Sequence, residues 1–154
     1  MNEDQRKYLE MLQTVIERLA GNSFSIKGWA VALVTVLGGF AVKDSDARFV
    51  FGLWLPAFCF WGLDAFYLRQ ERLYRALYNA SIASDPRLSL YSMDTKPFEH
   101  QVSSTFKTAC SRTILWLHLP ILVFVLVLSI YSIYRMRIAT PQAPASPVQT
   151  TPSR

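Results

Sequence analysis

Three ionisable residues stand inside otherwise apolar stretches. Lys27 opens the run 26–42, Asp64 lies near the end of the run 49–68, and His118 lies just inside the run 114–134. An amine, a carboxylate and an imidazole brought to one place can form an ion pair or a hydrogen-bonded packing contact. They can also relay a proton, because histidine titrates near neutral pH. Nothing else in the chain resembles a reaction centre. His100 and His118 have no cysteine or carboxylate at metal-ligand spacing, and Cys59 and Cys110 fall in an apolar run and in a polar loop. No Gly-rich phosphate loop, HExxH or GxSxG pattern occurs. The expectation is a protein that is not an enzyme and that uses no metal or cofactor.

The three residues meet only if the runs are helices that cross one layer in alternating directions. A bilayer core of about 30 Å needs roughly 20 helical residues. The run 114–134 has 21 residues with His118 as its one ionisable group, and it is too uniformly apolar for a surface helix. The run 49–68 has 20 residues and one charge, Asp64, and the shorter run 26–42 has 17. Of the 154 residues, 51% are apolar, so composition alone leaves room for a soluble core. The segmentation predicts an all-α polytopic membrane protein with three transmembrane helices.

Threading the chain through the bilayer puts the start of span one, the end of span two and the start of span three on one face. Asp64 then lies about 6 Å inside that face, His118 at about the same depth, and Lys27 reaches along its stem. An Asp64–Lys27 pair with a hydrogen bond from His118 is expected. A latch that fixes helix packing is the simplest role for it, and a gate or proton-sensitive switch is the alternative.

Eleven Lys and Arg residues flank that face, in the N-terminal region and the long loop 69–113, against five in the short loop and the tail. The positive-inside rule places the basic end in the cytoplasm and the C-terminus outside. The net charge of +5 then reflects topology and anionic lipid rather than nucleic-acid binding. Trp29 and Trp116 near the cytoplasmic boundary, and Phe49, Phe51, Trp54, Tyr131 and Tyr134 near the outer one, agree with this placement. The 25 mostly polar residues before Ile26 do not resemble a cleavable leader, so the first span is expected to be retained.

Five segments result. Residues 1–25 hold a cytoplasmic amphipathic helix with Tyr8, Leu12, Val15, Ile16 and Leu19 on one face and a stop at Gly21-Asn22. Residues 26–68 form a transmembrane hairpin of spans 26–42 and 49–68. Gly28, Ala32, Thr35 and Gly39 give span one a face of small residues, for which span two is the simplest partner and a second copy the next. Pro56 predicts a kink in the outer half of span two. Residues 69–113 form a cytoplasmic helix running on from span two, then a loop over 84–100 and a short helix around 99–112. Residues 114–134 are the third span. Residues 135–154, with four prolines in the last 15 positions, are expected to be a disordered tail.

The segments Asn22-Ser23-Phe24-Ser25-Ile26-Lys27-Gly28-Trp29 and Phe60-Trp61-Gly62-Leu63-Asp64-Ala65-Phe66-Tyr67-Leu68-Arg69-Gln70-Glu71-Arg72 resemble a group of small bacterial multi-span membrane proteins. The layout over roughly residues 5–80 is similar to SLATT-type two-span effector domains. Those domains accompany nucleotide-sensing genes in bacterial conflict systems and are thought to permeabilise membranes. The resemblance implies an oligomerising effector in a defence system, triggered by a separate cytoplasmic sensor protein. The alternative expectation is a non-enzymatic accessory or scaffold that recruits a cytoplasmic partner. The expected partners are the lipid bilayer, a second copy of the chain and that cytoplasmic protein, with no nucleic acid.

Overall fold

A computed structural model describes residues 2–44, 47–83, 85 and 91–139. Five α-helices and one 3₁₀ turn account for most of them: α1 Glu3–Asp44, α2 Ala47–Gly52, α3 Trp54–Ile82, the turn Lys96–Phe98, α4 Thr105–Ala109 and α5 Arg112–Ala139. No strand occurs among the described residues. Three stretches are long and apolar enough to cross a membrane: Glu3–Lys43, Val50–Ile82 and Arg112–Ile138.

The 42 residues of α1 form one uninterrupted helix, about 63 Å long and twice the thickness of a bilayer core. The expected stop at Gly21-Asn22 is absent. Gly21 has no positive φ, the left-handed conformation a helix C-cap requires. The covered face also runs straight through this point, at positions 8, 12, 15, 19, 23, 26, 30, 34, 37 and 41, with 16, 27 and 38 along its edge. That 4-3-4 spacing repeats every 11 residues, so the stripe drifts by only about 20° per repeat and stays against one neighbour. That neighbour is mainly α3. A glycine inside a helix costs about 1 kcal/mol, which a continuous packed stripe outweighs.

Span two is broken, as Pro56 predicts, and the break falls one turn earlier than the proline. Pro56 has no N–H to give to the carbonyl of Gly52, and its ring crowds that carbonyl. Accordingly α2 ends at Gly52 and α3 starts at Trp54. The Leu53 amide bonds to Val50 O, three residues back, at 3.2 Å. Pro120, by contrast, lies inside α5 without ending it.

Beyond the apolar stretches, α1 and α3 continue side by side as a helical hairpin with its own core of Tyr8, Leu12, Leu73, Leu77 and Phe98. The amphipathic face of residues 3–20 is thus spent on α3 and on the segment 91–102. The Tyr8 hydroxyl bonds to the carbonyl of Ser92, and the Tyr8 and Tyr91 rings meet edge-on at 5.5 Å. Of the short helix expected around 99–112 the structure forms α4, capped by Ser104 Oγ, which follows the turn Lys96–Phe98 and leads into α5. The third helix continues past 134 to Ala139, so residues 135–139 of the tail expected to be disordered over 135–154 are helical, and the rest lies outside the described residues. So do residues 84 and 86–90 of the expected loop over 84–100 and positions 45–46 of the short turn.

Candidate functional site: a three-helix polar layer

Each helix contributes to the polar layer through a position on its covered face. Ser23 and Lys27, one turn apart, come from the stripe of α1. Asp64 comes from α3, and His118 from the inner row of α5 that also carries Ile114, Val125, Ser129 and Ser132. The structure brings Lys27, Asp64 and His118 into direct contact. Lys27 Nζ donates to Asp64 Oδ1 at 2.5 Å and to Ser23 Oγ at 2.7 Å. The Ser23 hydroxyl donates to the same Oδ1 at 2.5 Å. The second carboxylate oxygen, Oδ2, lies 3.1 Å from His118 Nε2.

The contact satisfies the donor and acceptor inventory. An ionised carboxylate offers acceptors alone, so Nε2 of His118 carries the proton in this bond. Asp64 and His118 are 0% and 1% exposed, while the Lys27 side chain keeps 24% exposure. The lysine stem therefore lies along the helix surface while its head stays on the carboxylate, which is the usual way a long cation reaches a partner from an apolar span. Chemically the layer is an ion pair with three supporting hydrogen bonds. Both carboxylate oxygens of Asp64 are engaged.

Three features escape the sequence reading. Ser23 belongs to the layer, but a serine just before an apolar run reads as a loop or cap residue. A second polar tie joins span two to span three toward the opposite end: Trp54 Nε1 donates to Ser129 Oγ at 3.1 Å, and that hydroxyl donates to Val125 O at 2.8 Å. The close helix approach runs through Gly38, where an added Cβ would lie 3.2 Å from Phe124 Cε1 and 3.3 Å from Leu128 Cδ1.

The face Gly28, Ala32, Thr35 and Gly39 does not meet span two. All four residues are exposed, and Gly28 and Gly39 have nothing within 4 Å of an added Cβ. At about 100° per residue this face lies nearly opposite the covered stripe of Ala30, Val34, Gly38 and Ala41, so one helix cannot turn both toward α3. Cys59 and Cys110 are free thiols. His100 is exposed on the loop and takes no part in the layer.

No family model, curated protein or solved structure matches this chain. Fold and site together define a helical protein with three candidate membrane spans, tied near one end by a buried Ser-Lys-Asp-His contact.

Proposed function

We propose that this chain is a non-enzymatic multi-pass anchor of a bacterial inner membrane, with its basic end in the cytoplasm and its C-terminus outside. Its task is to hold a stiff helical hairpin at the membrane surface for a cytoplasmic partner protein. The observation that carries this reading is the continuity of α1 and α3. The same two helices that cross the apolar layer emerge from it already packed on a core of Leu12, Leu73, Leu77 and Phe98. A hairpin fixed in this way presents a defined surface, whereas an amphipathic helix on a loose tether would not. In this reading the Asp64 contact is a latch that sets the register of the spans.

A second reading is favoured by the open small-residue face. Several copies meeting through Gly28, Ala32, Thr35 and Gly39 would form an oligomer able to permeabilise the membrane, as the resemblance to effector domains implies. Overexpression of the full chain with a membrane-potential dye separates the two. The anchor leaves potential and growth unchanged. Rapid depolarisation that Gly28→Leu and Gly39→Leu abolish overturns the anchor in favour of the effector.

A further inference from the structure

At the basic end two polar atoms are buried without a hydrogen-bond partner, Arg69 Nε on α3 and Ser111 Oγ between α4 and α5. Trp61, Ala65 and Arg69 form one row on α3 at four-residue spacing. The indole N–H of Trp61 donates to Ala109 O at 3.1 Å, which holds the end of α4 against this row, and Ala65 is fully covered. Counted from the Asp64–His118 contact, Arg69 lies about 8 Å toward the basic end along α3, and Arg112 about 9 Å along α5. The two arginines therefore share a level just outside the polar layer, where the apolar stretches end.

Two further features mark this level as a boundary. Lys107 and Arg112 are exposed and form no ion pair among the described residues. Beside them stand two of the most exposed large apolar side chains of the molecule, Phe106 at 81% and Trp116 at 83%. Phe106 is adjacent to Lys107, and Trp116 is one turn beyond Arg112. Cations alternating with bare aromatic rings suit a surface whose outer part is anionic and whose inner part is apolar. A soluble phosphate would satisfy the cations and leave both rings in water.

We propose that Lys107 and Arg112 bind the phosphate of an anionic phospholipid at this level, with Phe106 and Trp116 seated among its acyl chains. This rests on the reading that the three apolar helices cross a bilayer, and it is independent of what the hairpin carries.

The test uses the full chain, purified in micelles supplemented with phosphatidylglycerol or phosphatidylcholine, with retained lipid read by native mass spectrometry. The wild type retains phosphatidylglycerol in preference to phosphatidylcholine. Lys107→Gln/Arg112→Gln lowers that retention on the order of tenfold. Arg6→Gln/Lys7→Gln, which removes as many charges far along the hairpin, leaves it unchanged. Equal retention of the two lipids by the wild type overturns the site without need of any variant. So does an equal loss in both double variants, which would mean general charge attraction, or displacement of the lipid by inorganic phosphate. Recovery of the protein outside the membrane fraction removes the bilayer reading itself, whereas an embedded protein with no lipid preference removes this site alone.

Discussion

The hairpin core around Leu12 and Leu73 and the polar layer around Asp64 join the same two helices, yet different forces hold them. In the hairpin, leucine, tyrosine and phenylalanine side chains leave water, and each fully buried one is worth about 1.5–3 kcal/mol. Between helices immersed in lipid, as proposed for these spans, this force vanishes, because acyl chains are as apolar as leucine. What remains is close packing, as at Gly38 against Phe124, and bonds with direction, as at Asp64. The contrast explains why a charged residue sits where a leucine would seem safer. An apolar contact between spans tolerates sliding and rotation, whereas a carboxylate that accepts from α1 and α5 at once fits one register.

Substitutions in the two regions should differ in size and reach. The largest effect is expected from Asp64→Ala, which strips Lys27, Ser23 and His118 of their shared acceptor and leaves a cation in an apolar layer. A loss of about 3 kcal/mol is predicted, at the low end for a buried pair because Lys27 retains partial exposure. It is measured as a drop in the thermal unfolding midpoint of the purified protein in micelles. Next comes Leu12→Ala in the hairpin, expected to cost about 2–3 kcal/mol through the cavity it leaves. Here the damage is local: limited proteolysis should cut within residues 3–20 and 91–102 while α5 stays protected.

Gly38→Ala should cost about 1 kcal/mol, since the phenyl ring of Phe124 must move a few tenths of an ångström to admit the methyl group. Gly39→Ala, one position away with open space around it, should be neutral or slightly stabilising through helix propensity. The pair of midpoints separates the packed face from the open one. Ser129→Ala removes the acceptor of Trp54 and should cost only about 0.6 kcal/mol, the usual size of a single bond between spans. A measurable blue shift of tryptophan emission would accompany it as the indole loses its partner.

What could be read from the sequence follows the same division. Lys27, Asp64 and His118 stood out because a charge in an apolar run is costly and threading aligns their depths. Ser23 did not, since serine is cheap to place and common before a span. Small residues were legible as a class but not by face: Gly38 and Gly39 point about 100° apart, and only the three-dimensional stripe decides which one meets a neighbour. The stop at Gly21 was misplaced for a related reason. Helix-ending signals are local, while the 11-residue stripe that carries α1 past them is visible only against α3. Pro56 gave the break of span two, and the position of the break one turn earlier follows from which carbonyl a proline leaves unbonded.

The central claim is that Asp64 and Lys27 act as one contact that fixes the register of the spans. A double-mutant cycle with Asp64→Leu, Lys27→Met and both together, read by thermal unfolding of the full chain in micelles, tests it most directly. Each single change should destabilise, and the double variant should recover much of the loss, giving a coupling of about 1 kcal/mol or more. Additive effects, within about 0.3–0.5 kcal/mol, would show that the two residues do not depend on each other and would contradict the latch.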